Sequence, residues 1–148
     1  MSRFTHANAL LVNGHGILVR GASKQGKSTL TLALIDAARV RGWPMQLIGD
    51  DRILLYPEAG GVMAEGHPAI AGKLELRGFG IVDLPFAKCG RVELVIDLVA
   101  GDASAPLKPG QTELFGQKIL HVEMVARSNL RDNLPVLLKM IGKIGSEM

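Results

Sequence analysis

The sequence predicts an α/β domain with a mixed β-sheet, and three observations lead there. The chain has 148 residues, a length that suits one compact domain. An apolar strand-like run is followed by a helical apolar pattern and then by a second short run. Beyond that point come short β-branched segments separated by Gly and Pro turns. Composition supports a folded core, with 47% apolar and 21% charged residues, a balance unlike that of disordered chains. Only 4% is aromatic, so the core must be aliphatic, and a stacking platform for single-stranded nucleic acid is not expected. The formal charge of +3 arises from 17 basic and 14 acidic side chains without a dense basic run. Neither nucleic acid nor an anionic membrane surface is therefore an expected partner. A single cysteine, Cys89, excludes an internal disulfide. Residues 1–10 do not read as a leader, and no apolar run approaches the roughly 18 residues of a membrane span. A cytoplasmic location is expected.

Taken in order, Gly14 and Gly16 precede Ile17-Leu18-Val19, read as a short buried strand. Next comes Gly21-Ala22-Ser23-Lys24-Gln25-Gly26-Lys27-Ser28, which fits G-x-x-x-x-G-K-[ST] at every fixed position. Leu30, Leu32, Ala33, Leu34, Ile35, Ala37 and Ala38 continue as a helix, which Arg39, Arg41, Gly42 and Pro44 bring to an end. Residues 45–48 form a second strand that runs into Gly49-Asp50-Asp51, with Gly49 allowing the turn. This strand–loop–helix–strand unit predicts parallel pairing of its two strands by a right-handed crossover. Further strands are expected at 53–56, 61–64, 73–76, 81–84, 92–99, 112–115 and 118–124, with a loop over 101–110. A last helix covers 129–144, with Pro135 as a point of interruption.

The phosphate-loop pattern carries a definite chemistry. Glycine lets successive backbone N–H groups point inward, and the helix N-terminus adds positive potential. Lys27 would reach the outer phosphates of a nucleotide, and Ser28 would place its hydroxyl on a bridging Mg²⁺. Ala22, Ser23, Lys24, Gln25 and Thr29 complete the nucleotide-binding segment with Gly21 and Gly26. Without that role the segment would be a glycine-rich turn with an exposed lysine. Asp50 and Asp51 stand at the end of a strand, where open α/β sheets place their ligand crevice. One carboxylate can serve a metal while the other accepts a proton; the bland alternative is an acidic turn.

Several separated segments resemble one family, the HPr kinase/phosphorylases, which act on a serine of the phosphocarrier protein HPr. They are the phosphate loop beginning Gly21-Ala22-Ser23, the pair Asp50-Asp51, and Leu74-Glu75-Leu76-Arg77-Gly78-Phe79-Gly80-Ile81-Val82 preceded by Gly66-His67-Pro68. His6, 15 residues before Gly21, and Arg127-Ser128-Asn129-Leu130 are weaker matches. The resemblance implies an ATP- and Mg²⁺-dependent serine kinase of HPr, reversible by inorganic phosphate. In it Asp50 would be the general base, and Lys27 would stabilise the transferring phosphoryl group. Ser28, Asp51 and Glu75 would form the metal site, and His6 would contact Asp50 or the phosphate and assist proton movement. Arg77 would be a phosphate-facing cation or a structural partner of Glu75. A homo-oligomeric ring, a hexamer, is also implied.

The sequence departs from the family at several points. Thr29 stands where an acid is usual, and Lys24 replaces a frequent glycine. Pro106-Leu107-Lys108-Pro109 occupies the place of a family arginine, so Lys108 substitutes for it or the function is lost. The family's additional N-terminal domain is not in this sequence, and the segment after Leu130 is short, as in α-proteobacterial forms. Two other readings follow from these departures: a nucleotide-binding regulatory module without transfer, and a phosphate-loop ATPase or small-molecule kinase. Cys89 receives no role. His15, His67 and His121 lack metal-ligand spacing. Met124, Leu137, Leu138 and Met140 read as core or subunit-contact residues, and Trp43 as the cover of a helix end.

Overall fold

The computed structural model describes residues 1–22 and 26–144. The strands are β1 (Arg3–Thr5), β2 (Ala7–Val12), β3 (His15–Arg20), β4 (Met45–Gly49), β5 (Ile53–Glu58), β6 (Gly61–Glu65), β7 (Lys73–Leu76), β8 (Gly80–Asp83), β9 (Cys89–Val99), β10 (Lys108–Leu114) and β11 (Gln117–Val125). The helices are α1 (Lys27–Val40) and α2 (Leu130–Ile144). Among the described residues nine strands form one mixed sheet, and β7 and β8 make a separate hairpin.

The expected unit from residue 17 to residue 48 is present, but its two strands do not pair. β2 lies between β3 and β4 and is antiparallel to both. The reason is local: Asn13 and Gly14 take φ of 53° and 81°, which makes a tight turn matched to strand twist and folds β2 back on β3. The parallel partner of β3 is β9, whose residues 94–99 pair with β11, also in parallel. The phosphate-loop strand thus has β2 as an antiparallel neighbour and β9 as a parallel neighbour whose C-terminal end opens on the same side.

Alternation along these strands feeds two cores. Ile17, Val19, Leu94 and Ile96 pack with Leu30, Leu34 and Leu137 on the helix-covered face. Leu18 and Val95 point the other way, to Ile53, Leu55 and Ile119. α1 stops as expected, with Gly42 at φ 72° and the Trp43 N–H donating to Ala38 O at 2.8 Å. Trp43 covers that end and meets α2 at Gly142. Two expectations need correction. α2 is not interrupted and runs through Pro135. The loop over 101–110 is shorter than expected, because Lys108, Pro109 and Gly110 already pair with β11. Among the described residues β10 bonds only to β11, and an edge strand tolerates proline because one row of its N–H groups faces outward. At Gly66 a Cβ would stand 1.9 Å from the Ile48 carbonyl oxygen, so only glycine lets this chain lie against the strand that leads to Asp50.

Candidate active site

Lys27 opens α1, and Gly26 before it takes φ 90°, a conformation that favours glycine. The Lys27 side chain is only 7% exposed. Its Nζ donates to Gly21 O at 2.9 Å and Ala22 O at 3.5 Å, and lies 3.8 Å from Asp51 Oδ1. The lysine therefore folds back on its own loop, with a carboxylate nearby. Ser23, Lys24 and Gln25 lie outside the described residues. Ser28 and Thr29 line the cavity that Lys27 faces.

The turn after β4 differs from expectation in one detail. The left-handed residue is Asp51, with φ 65°, rather than Gly49, whose small size instead leaves room for Ile53. A strained non-glycine position is held by its surroundings. Here the Asp51 N–H donates to Asn8 Oδ1 at 2.8 Å, Asn8 Nδ2 to Thr31 Oγ1 at 3.1 Å, and the Thr31 hydroxyl to Lys27 O at 2.7 Å. Asn8 and Thr31 are fully buried. This relay crosses β2 and ties the acid turn to the first turn of α1. Asn8 escapes the sequence reading, although a lone amide inside the apolar run of β2 was an available signal.

Asp50 Oδ2 accepts the Glu75 N–H at 2.8 Å, which docks the β7–β8 hairpin over the acids. Burial pushes the Asp50 carboxyl up, and Asp51 and Glu75 add to this; the Glu75 N–H and Lys27 oppose it without cancelling it. Asp51 is more exposed, and His6 Nδ1 stands 3.9 Å from its Oδ1. His6 thus keeps company with Asp51 rather than Asp50. Its side chain is 88% exposed. The hairpin's ion pair joins Lys73 to Asp83, while Glu75 and Arg77 both line the cavity.

The cavity measures about 650 Å³ and gathers Lys27, Ser28, Thr29, Asp50, Asp51, Glu75 and Arg77. Lys108 is not among them; it lines a smaller cavity of about 170 Å³ with Asp102 and Glu123. Among the described residues no cluster of three or more His, Cys, Asp or Glu is ready to hold a metal by itself. What the cavity offers is a hydroxyl and carboxylate oxygens, a hard-donor set suited to Mg²⁺, which usually takes only one or two protein carboxylates beside phosphate oxygens.

A buried lysine at a helix start, facing paired acids under a hairpin, is also what the matching family model covers. That model, described as the HPr Serine kinase C-terminal domain, matches residues 1–126. The chain belongs to this family. Membership bears out the resemblance carried by the phosphate loop, the paired acids and the Leu74–Val82 stretch. Among curated relatives, an HPr kinase/phosphorylase of Mycoplasma mycoides is 35% identical over 101 residues, covering 64% of this chain and 30% of the relative. One from Bordetella petrii is 31% identical over 148 residues, covering 90% of this chain and 45% of the relative. The chain thus spans less than half the length of these two relatives. A solved structure described as the HPr(Ser) kinase/phosphatase from Coxiella burnetii superimposes with a TM-score of 0.72 at 28% identity. The match covers 95% of this chain and 94% of that one, so the mixed sheet with two helices is the fold of this family.

Proposed function

We propose that this chain transfers the terminal phosphoryl group of ATP to a serine of HPr, and that inorganic phosphate reverses the step. The observation that carries the reading is Asp50: a half-buried carboxylate with a raised pKa, held by the Glu75 N–H in the same cavity as Lys27. The names of the relatives, HPr kinase/phosphorylase and HPr(Ser) kinase/phosphatase, support HPr as the substrate and a reaction that runs both ways.

The cavity fits a metal–nucleotide pair, because a buried ammonium and a helix start face an acidic rim across about 650 Å³. Ser28, Asp51 and Glu75 would hold Mg²⁺, which supplies neutralisation of phosphate charge when bound. Lys27 would leave the Gly21 and Ala22 carbonyls for the transferring group, since an anion is the stronger acceptor. The Asn8–Thr31 relay keeps the acid turn at a fixed distance from α1, so positioning is provided in advance. Asp50 takes the proton of the attacking serine hydroxyl. In the phosphate-dependent direction inorganic phosphate attacks the phosphoserine phosphorus, the bond from phosphorus to the serine oxygen breaks, and the neutral acid gives its proton to that departing oxygen, so serine and pyrophosphate leave. A raised pKa serves both directions, because a base works best when its pKa approaches the operating pH.

His6 sits close enough to Asp51 to modulate the acidic rim, and Arg77 provides a cation on the hairpin side. Ring assembly is part of the proposal by family likeness. So is a cytoplasmic setting, where the named substrate of the relatives and ATP meet; no helix among the described residues is long and apolar enough to cross a membrane. Lys108, away from the main cavity, favours one competing reading, a nucleotide-binding module in which transfer has been lost. Incubation with ATP, Mg²⁺ and HPr separates the two. The expected result is phosphoserine on HPr, and its absence under every nucleotide and metal condition would overturn the kinase reading.

A further inference from the structure

We propose that the end of the main cavity built by β9, β11 and the start of α2 is the purine subsite, an apolar wall formed by Leu98, Met124 and Leu130. The inference rests on the reading above that this cavity takes a nucleoside triphosphate.

The cavity is divided by charge. Lys27 fixes where the phosphates lie, at the end of β3. On the β4 side of that point stand Asp50, Asp51 and Glu75, and the acceptor hydroxyl must come there to meet Asp50. On the other side of β3 lie β9 and β11, whose C-terminal ends contribute Leu98 and Met124. Both are nearly buried, at 6% and 2% exposure, and Leu130 of α2 closes the same wall. Phosphate oxygens gain nothing from such a surface, because they would lose water without a donor in return. A planar base gains, since small-molecule sites are mostly apolar with a few polar groups at the edge. With the acid end reserved for the acceptor, this wall is the apolar surface on the opposite side of the phosphates that the described residues offer a nucleoside.

The wall is also built in advance. The Ala126 N–H donates to Val99 O at 2.7 Å and the Ser128 N–H to Val125 O at 3.1 Å, which fixes the chain as it leaves β11. Asn129 Oδ1 accepts the Arg131 N–H at 2.9 Å, and Asn133 Nδ2 donates to Ser128 Oγ at 2.7 Å. These bonds anchor the first turn of α2, and Leu130 with it. The family model ends at residue 126, so α2 brings to the site a residue that the model does not cover.

The test compares ATP with inorganic tripolyphosphate, which has the phosphates but neither ribose nor base. Calorimetry would measure both ligands with Mg²⁺ on the intact chain and on Leu130→Ala. The intact chain should bind ATP more tightly than tripolyphosphate, and Leu130→Ala should weaken ATP by about fivefold to tenfold, the effect of lost apolar contact. Its affinity for tripolyphosphate should stay within about twofold, since that contact is absent there. A second readout is taken on the chain with its wall unaltered: with ¹³C-methyl methionine, the Met124 methyl signal, identified beforehand by its loss in Met124→Leu, should shift on adding ATP and stay in place on adding tripolyphosphate. Equal weakening of both ligands, or a Met124 signal indifferent to ATP, would overturn the subsite while leaving phosphate binding intact. If neither ligand binds, the nucleotide reading itself is overturned and the subsite with it.

Discussion

Asp50 and Asp97 are both half-buried acids near the C-terminal ends of sheet strands, yet their charges are handled in opposite ways. Asp97 projects to the face away from the helices, with Val95. Both of its oxygens are paired: Arg20 Nε and Nη2 donate to it at 2.7 Å each, and His121 Nε2 lies 2.7 Å from its Oδ2. Burial alone would raise this carboxyl, but the hydrogen bonds and charges of Arg20 and His121 outweigh burial and hold it below the usual carboxylate range. Asp50 has the Glu75 N–H and a more distant Lys27, and its pKa rises. The pairing of Asp97 stitches β3, β9 and β11 together directly beneath the phosphate loop. The incomplete compensation of Asp50 suits the general-base role proposed for it. A fully satisfied acid stabilises the fold, whereas a partly satisfied one remains available for chemistry.

The sharpest way to break this contrast is to neutralise each acid in turn. Asp50→Asn should lower phosphoryl transfer by about 10²- to 10⁴-fold, the range for removing a general base, while ATP affinity by calorimetry stays within about threefold. The same variant should be more stable than the parent at neutral pH. The folded state holds the Asp50 proton more tightly than the unfolded chain does, so parental stability falls as pH rises from the unfolded pKa through the raised folded one. Transfer to serine should lose rate as pH falls through that raised pKa, and the phosphate-dependent reverse step should show the opposite limb.

Asp97→Asn tests the other half. Urea unfolding at pH 7 should show a loss of about 1–3 kcal/mol, because Arg20 and His121 lose a charged acceptor. Transfer should stay within about threefold, the modest cost of a support not in the cavity. The depressed pKa sets the pH dependence: the stabilisation is complete above the unfolded pKa and is lost as pH falls through the folded one. Parent and variant should therefore converge in acid. Asn8→Ala, which strands the Asp51 N–H and removes the donor to the Thr31 oxygen, should cost about 1–3 kcal/mol in the same assay and also lower the rate, unlike Asp97→Asn. The smallest effect is expected for His6→Ala, within about threefold in rate, because an exposed histidine 3.9 Å from its partner is largely screened by water.

Much of the site was legible in the residues themselves. The phosphate loop and the acids after the second strand are local patterns with fixed spacing, and the Leu74–Val82 stretch was recognisable as a family signature. Its docking on Asp50 was not, because that contact joins residues 25 apart through a hairpin whose placement depends on tertiary packing. The insertion of β2 between β3 and β4 could have been anticipated from Asn13-Gly14, a strong hairpin signal; the crossover rule concerns handedness and does not say which strand will fill the gap. Asn8 and the Arg20–Asp97–His121 cluster arise from strand register, with Arg20 opposite Asp97 across β3 and β9, and register is set by the assembled sheet. Met124 was read as a core or subunit-contact residue and lies in the core, but its second surface, on the cavity, comes from its place at the end of β11.

The most direct test of the central claim is a side-by-side assay of phosphoserine formation on HPr by the parent, Asp50→Asn and Asp97→Asn, with ATP and Mg²⁺ and with folding checked by circular dichroism. The account predicts transfer by the parent, near-parental transfer by folded Asp97→Asn, and almost none by Asp50→Asn with ATP still bound. Phosphoserine formation by Asp50→Asn at the parental rate would contradict it.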